Sequence, residues 1–298
     1  MISILIPTYN YSVVSLVENL NKQCKSAAIA YEILVFDDAS TENSLVEENS
    51  KINTFQNCRF QVLDENIGRS KIRNLLAEKA KYDWLLFLDA DVYPSNAEFI
   101  ADYLAAFSEG SSVVFGGIKY PENNVKNFSL RYKYGTERES LSLAERRKNP
   151  YRSFITMGFA IKREVFQNIK FNEKLAGYGY EDSVFGYGLQ KNNVPLLHID
   201  NPVVHLNLET NEVFIKKSKL ALQNLMNFYK TGAIDSETVK ILKTHSKLKK
   251  WNMLFAVRGF FKIFERPLLK NLHSPKPSLF LFDLYRLGYL SCLKPKDA

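Results

Sequence analysis

The stretch Trp84-Leu85-Leu86-Phe87-Leu88-Asp89-Ala90-Asp91 runs through five apolar residues without a polar break and then stops on two carboxylates. A strand with one wet face alternates apolar and polar residues. An unbroken apolar run of this length belongs instead to a strand covered on both sides, the pattern of a parallel sheet packed between helices. Two earlier runs have the same form: residues 2–6 are ended by Pro7-Thr8-Tyr9-Asn10, and residues 32–36 by Asp37-Asp38-Ala39-Ser40-Thr41. Between them Val13, Leu16, Val17 and Leu20 fall at helical spacing over residues 12–23; a polar helix follows Thr41 around Leu45 and Val46, and residues 70–81 are helical in composition. A weaker strand covers residues 60–63. The fold class predicted is α/β, a mostly parallel Rossmann-like sheet flanked by helices and joined by right-handed crossovers. Ligands of such sheets bind beyond the carboxyl ends of the strands, so the residues that stop each run are the candidates for chemistry.

Further along, residues 113–117 and 154–161 read as strands, 162–167 as a short helix, and 121–150 as a charged, Asn-rich connection that includes a helix. After Val203-Val204-His205-Leu206 only helices are expected, the clearest over 213–229 and 248–264, which sets a domain boundary near residue 210.

With 298 residues, 46% hydrophobic and 24% charged, the chain can bury an ordinary core, which excludes disorder as its default state. Only 13 Gly and 10 Pro, with no internal repeat, exclude fibrous and solenoid classes. Cys24, Cys58 and Cys292 are odd in number and contain no CxxC pair, so neither a disulfide framework nor a zinc knuckle is expected, and a reducing compartment fits. The N-terminal apolar run lacks a basic flank and stops at Pro7, unlike a signal peptide, and no run of about 18 uncharged apolar residues predicts a membrane span. The net charge of +8 is uneven: residues 211–298 hold 17 Lys/Arg against 6 Asp/Glu, and residues 1–210 hold 23 against 26. That asymmetry aims the C-terminal third at an anionic surface, nucleic acid or phospholipid.

Asp89 and Asp91, two residues apart at the end of a buried strand, can point at one hard divalent ion or at a nucleotide's sugar and phosphate; a solvated turn is the plain alternative. Asp37-Asp38 ends its strand in the same way, where a carboxylate could accept bonds from a uracil N3–H or a ribose hydroxyl, or else cap a helix. In Asn66-Ile67-Gly68-Arg69-Ser70-Lys71-Ile72-Arg73-Asn74, Gly68 permits close backbone approach, and Arg69 and Arg73 share a helix face that could meet a base or a diphosphate. Gly177-Tyr178-Gly179-Tyr180-Glu181-Asp182 joins backbone freedom, aromatic walls and carboxylates, which together suit a sugar site in a glycine-rich loop. His205 follows 23 residues after Asp182, a histidine that is either a satisfied core residue or a ligand. No Walker loop, GxSxG, HExxH or GxGxxG occurs.

In this order, residues 4–10, 35–40, 66–74, 88–91 and 177–182 resemble glycosyltransferase family 2, with its GT-A fold, over residues 1–208. The resemblance implies an enzyme, a single-addition hexosyltransferase that moves a sugar with inversion from a nucleotide-diphospho-sugar, UDP-linked as a rule, to a glycan or lipid-linked acceptor in polysaccharide biosynthesis. It implies that residues 1–210 are the catalytic domain and 211–298 a basic helical extension. Pro7, Thr8, Tyr9, Asp38, Gly68 and Arg73 would hold the nucleoside, and Asp89 would face the ribose and sugar. Asp91 of the DxD motif would bind Mn²⁺ or Mg²⁺, and a later histidine, as in galactosyl- and N-acetylgalactosaminyltransferases, makes His205 the second ligand. Tyr178, Gly179 and Tyr180 would meet the acceptor, with Glu181 beside Asp182, the expected base. The Gln-x-x-Arg-Trp element of processive synthases is missing, Gln190 being followed by Lys191-Asn192-Asn193-Val194, which favours single addition.

Residues 247–264 read as one amphipathic helix with Lys247, Arg258, Lys262 and Glu265 in a stripe, and Trp251, Phe255, Phe260, Phe261 and Phe264 around it. Residues 247–266 would lie on an anionic membrane surface, or pack on the catalytic domain or in a homodimer. The expected location is the cytoplasm or the inner face of its membrane. A sugar-1-phosphate nucleotidyltransferase is the enzymatic alternative, but its glycine-rich Arg-containing N-terminal signature is missing. A non-catalytic basic module binding nucleic acid is the other, but no nucleic-acid partner is expected because no recognised binding motif occurs.

Overall fold

The computed structural model describes residues 1–107, 110–121, 129–173 and 178–293. In chain order the elements are β1 Ile2–Thr8, α1 Val14–Ser26, β2 Tyr31–Asp37, α2 Asn43–Ser50, β3 Cys58–Val62, α3 Arg69–Lys79, β4 Trp84–Leu88, β5 Val92–Pro94, α4 Phe99–Ala106, β6 Val113–Phe115 and β7 Ile118–Lys119. They continue with α5 Ser129–Tyr134, α6 Leu143–Lys148, β8 Gly158–Lys162, α7 Arg163–Asn168, α8 Glu181–Lys191, β9 Leu196–His198, β10 Val203–His205, α9 Asn211–Lys230, α10 Lys240–Lys250, α11 Leu254–Leu272 and α12 Leu279–Cys292.

The chain divides into two units. The first takes residues 1–121, 140–173 and 188–207 and holds a seven-stranded sheet in the order β3-β2-β1-β4-β8-β6-β9. The β1–β2, β2–β3, β1–β4 and β6–β9 pairs are parallel, and only β8 runs against its neighbours. The apolar runs become the sheet's middle: β1, β2 and β4 are buried almost throughout, the burial that unbroken hydrophobicity requires. A second sheet, β5-β10-β7, pairs β10 antiparallel to β5 and parallel to β7. It places Val92, next to Asp91, opposite His205. The predicted α/β class, mostly parallel and helix-flanked, is the fold observed.

The second unit takes residues 122–139, 174–187 and 208–298, so it includes two earlier segments besides the C-terminal helices. Its core joins Phe214 and Ile215 of α9, Phe261, Leu268 and Leu272 of α11, and Phe282 and Tyr285 of α12. Residues 248–264 are not one helix: α10 ends at Lys250, Asn252 turns left-handed at φ 55°, and α11 starts at Leu254. Lys247 therefore lies on a different helix from Arg258, Lys262 and Glu265, which breaks the expected stripe. Among the described residues no helix is long and apolar enough to cross a membrane.

Candidate active site

The loops beyond the carboxyl ends of β1 and β2 are stitched by short polar side chains. Thr8, at the end of β1, donates from Oγ1 to the Tyr11 carbonyl (2.9 Å). Asn10, left-handed at φ 47°, donates its backbone N–H to Ser40 Oγ (2.7 Å) and accepts at Oδ1 from the backbone N–H groups of Thr41 (2.9 Å) and Glu42 (3.1 Å). Asp37 closes the same turn, accepting from Ser40 N (2.6 Å) and Ser40 Oγ (2.7 Å). Asn49 accepts from Val13 N and donates to the Tyr11 carbonyl, both at 2.9 Å. Pro7 is half-buried and Tyr9 is left exposed. Asn10 belongs to the strand stop Pro7-Thr8-Tyr9-Asn10 but is given no role of its own by the sequence, and Asn49, buried in the polar helix α2, carries no sequence signal.

Asp38 is buried, and its two carboxylate oxygens accept from the backbone N–H groups of Ile67 (2.7 Å) and Gly68 (2.9 Å). Asn66 donates to its carbonyl (2.9 Å). The residue expected to hold a nucleoside thus has a local task as well, fixing the loop that opens α3. Gly68 sits at φ 83°, ψ 160°; the space beside its Cα is open, so backbone conformation rather than crowding demands glycine there.

Arg73, in α3, is nearly buried, pairs with Asp89 at the end of β4 and lies 5.4 Å from the Phe171 ring centroid. Its guanidinium pairs with Asp89, which is only half-buried, so the two act as one partly buried ion pair. Asp91 stands two residues on, with Oδ2 3.2 Å from His205 Nε2, while Leu206 N donates to the Asp91 carbonyl (2.8 Å). Burial works against charge on Asp91, but the hydrogen bond and charge of His205 outweigh it, with Arg69 adding to them, and hold its carboxyl below the usual carboxylate range. Burial, and then the Asp91 charge, push the Tyr11 phenol up, which places Tyr11 in the field of Asp91; sequence reading did not single it out. His205 Nδ1 is buried and has no hydrogen-bond partner among the described residues, and Tyr120 meets the imidazole edge-on at 5.5 Å.

Among the described residues no three or more His, Cys, Asp or Glu side chains gather as a metal cluster. The Asp91–His205 pair offers one carboxylate and one imidazole, a set that suits Mn²⁺ at least as well as Mg²⁺ when substrate oxygens and water complete the shell.

His205 is positioned through Gly116-Gly117, which follow β6. Asn201 N donates to the Gly116 carbonyl and Val203 N to that of Gly117, both at 3.1 Å. A Cβ on Gly116 would lie 2.0 Å from the Asn201 carbonyl oxygen; Gly117 is at φ 101°, with Arg146 against it. Arg146 is buried and donates to the carbonyls of Leu141 (3.2 Å), Phe115 (3.3 Å), Gly116 (3.1 Å) and Ile199 (2.9 Å). Its fifth contact is His198 Nδ1 at 3.2 Å, and His198 Nε2 faces the Pro150 carbonyl at 3.1 Å. The imidazole therefore accepts from Arg146 and carries its proton on Nε2.

Burial and the Arg146 charge push His198 down to about 4 from an ordinary 6.5. The folded value lies below the unfolded one, so this stability is present above pH 6.5 and is lost as pH falls toward 4. Between pH 7.5 and 5 the loss from this group amounts to about 2 kcal/mol. Urea denaturation over that range is expected to show it, and His198→Asn should flatten the slope; an unchanged slope would refute the assignment.

In the second unit, Glu181 and Asp182 open helix α8, with Val184 N donating to the Tyr180 carbonyl (3.0 Å). The expected glycine-rich loop, whose sequence signal also includes Gly186 and Gly188 a few residues on, therefore ends at Tyr180, and those two glycines lie inside a helix. Gly177 lies outside the described residues. Gly179 (φ 93°) and Tyr180 (φ 67°) are both left-handed. Asn224 of α9 donates to the Gly179 carbonyl (3.1 Å), and a Cβ on Gly179 would come within 2.4 Å of Ala221 Cβ. Arg286 of α12 donates to the Tyr180 hydroxyl, and Lys217 lies over the Tyr178 ring at 5.0 Å. Helices α9 and α12 thus set the backbone that leads into Asp182.

Residues 3–170 match the family described as Glycosyl transferase family 2, a stretch that includes Pro7, Asp38, Arg73, Asp89 and Asp91. The chain belongs to that family. This glycosyltransferase is 28% identical over 228 residues to the chondroitin synthase of Escherichia coli, covering 64% of this chain and 32% of that protein. The match spans about a third of the length of such relatives. Among solved structures, the mannosyltransferase from Pyrobaculum calidifontis in complex with GDP-Man and Mn²⁺ has a TM-score of 0.61 at 15% identity, over 97% of this chain and 85% of that one. GalNAc-T7 with UDP, GalNAc and Mn²⁺ has a TM-score of 0.57 at 19% identity, over 77% of this chain and 47% of that one. At such identities the likeness is one of fold, that of the GT-A transferases.

Proposed function

We propose that this glycosyltransferase is inverting and metal-dependent, and adds one hexose or N-acetylhexosamine at a time from a nucleotide-diphospho-sugar, UDP-linked, to a glycan or lipid-linked acceptor in polysaccharide biosynthesis. Residues 1–210 are its catalytic domain, and it works in the cytoplasm. The observation that carries the reading is the Asp91–His205 contact of 3.2 Å: two residues far apart in sequence meet just past the end of β4, where open sheets of this kind bind ligands. The two solved relatives above were captured with a nucleotide or nucleotide sugar and Mn²⁺, which supports the same reading.

Asp91 and His205 hold the divalent ion. When bound, the ion supplies positive charge against the leaving diphosphate. Pro7, Thr8, Tyr9, Asp38 and the Gly68 turn bracket the nucleoside, while Asp89, held by Arg73, faces ribose and sugar. Asp182 takes the proton from the acceptor hydroxyl as its oxygen forms a bond to the anomeric carbon. The bond from that carbon to the diphosphate oxygen breaks on the opposite face, the nucleoside diphosphate departs with the electron pair, and the configuration inverts. No covalent enzyme intermediate is required. Glu181 sits beside the base in the first helical turn, and Tyr178, Gly179 and Tyr180 wall the acceptor.

A panel of nucleotide sugars, each with and without Mn²⁺, tests this by thermal stabilisation and slow hydrolysis to free nucleotide. One donor at about 100 times its dissociation constant is expected to stabilise by about 2.7 kcal/mol only when Mn²⁺ is present. Asp91→Asn and His205→Ala should each remove the Mn²⁺-dependent part. If both variants keep the full effect, the ion is held elsewhere.

A further inference from the structure

Helix α11 carries apolar residues on both its inner and its outer side, yet only the inner side is covered. Phe261, Leu268 and Leu272 face the core of the second unit. On the other side Phe255 is 76% exposed, Ile263 72%, Phe264 43% and Phe260 42%, and the rings of Phe260 and Phe264 stack at 4.5 Å. At about 100° per residue these four fall within one half of the helix circumference. An exposed apolar patch of this size normally marks an interaction site.

The charges beside the patch identify its occupant. Arg258, Lys262, Arg266 and Lys270 recur every fourth residue and form a row that winds from one flank of the apolar half into it between Phe255 and Ile263, with Arg258 also donating to the Ser291 carbonyl (2.6 Å). Glu265, the helix's one acid, is half-buried with its charge acting on Lys219, so it does not offset the row. Just before α11, Lys247, Lys249 and Lys250 end α10, and Trp251, 64% exposed, sits in the connection. A second protein surface would need complementary acids and a shaped pocket for each ring. A bilayer interface accepts such a helix without either, through acyl chains for the rings and anionic headgroups for the cations.

We propose that the outer face of α11, with Phe255, Phe260, Ile263 and Phe264 inserted and the Arg258–Lys270 row above them, binds the surface of an anionic phospholipid bilayer. The helix lies in the interface and does not cross it. The proposal does not depend on the transferase reading, because binding is measured without donor or acceptor.

The test is flotation of the full chain with vesicles of phosphatidylcholine alone or mixed with phosphatidylglycerol, at low and high salt, alongside Trp251 fluorescence in a Trp84→Phe background. Vesicles containing phosphatidylglycerol are expected to carry the protein and to shift Trp251 emission to the blue, while high salt and neutral vesicles weaken both. Phe255→Ser with Ile263→Ser, and separately Lys262→Glu with Arg266→Glu, should each reduce partitioning by at least about tenfold with melting temperature unchanged. The proposal is overturned if the chain stays in the soluble fraction with anionic vesicles at low salt, or if neither double variant changes partitioning. It is equally overturned if sedimentation shows a dimer that Phe255→Ser with Ile263→Ser dissolves, since the face then belongs to a second copy.

Discussion

Replacing Asp182 by Asn is expected to slow sugar transfer by about two to four orders of magnitude while leaving donor binding nearly intact. The substitution keeps side-chain size, and Asn is tolerated in the first turn of a helix, so α8 should form as before. Only the ability to take a proton is removed. Nucleotide affinity and slow donor hydrolysis should persist, separating proton removal from binding. Transfer within about tenfold of the unaltered enzyme, or roughly 1.4 kcal/mol, would show that another group is the base.

Replacing Arg146 by Met should have the largest effect on stability. Four backbone carbonyls and the His198 ring accept from this one guanidinium in a buried setting, and no other donor of similar reach takes its place after truncation. Leaving several buried acceptors unpaired is expected to cost at least about 3 kcal/mol, or about 10 °C in melting temperature. Arg147 supplies the control: it is exposed and donates once, to the His198 carbonyl (3.2 Å), so Arg147→Met should cost under about 1 kcal/mol. Equal melting of the two variants would remove Arg146 from its structural role.

What could be read from the sequence followed from how continuous its signals are. β4 occupies the expected residues 84–88, because five apolar residues in a row between polar ones leave no choice of boundary. β1 runs on through Pro7 to Thr8, past the apolar stop, because its pairing with Phe36 and Asp37 of β2 continues to that point. The end of β6 was less visible: Gly116-Gly117 look like a strand continuation, and the groups that hold the chain there, the Arg146 side chain and the backbone of Asn201 and Val203, are distant in sequence. Arg146 itself sits in an Arg-Arg-Lys run that reads as a solvated helix face. Helix α8 was hidden by Gly186 and Gly188, whose weak helix propensity is overridden by context. The break at Asn252 lay inside an apolar period that continues on both sides of it, and periodicity cannot register a single left-handed residue. For the site, strand-stopping acids were legible because local order places them. The partners of Arg73 and His205 depend on long-range pairing and emerge only with the fold.

The position of β8 also shapes how the protein comes together. It lies between β4 and β6 and opposes both, yet it is made long after β4 and after β6. During synthesis β1 to β4 can assemble as the chain emerges, but the far edge of β4 keeps its ladder open until Gly158–Lys162 arrives. Until that wedge is seated, β6 has no place in the sheet, and a raw strand edge invites pairing with other chains. Truncation before residue 162 should therefore yield a sticky half-sheet rather than a small folded domain.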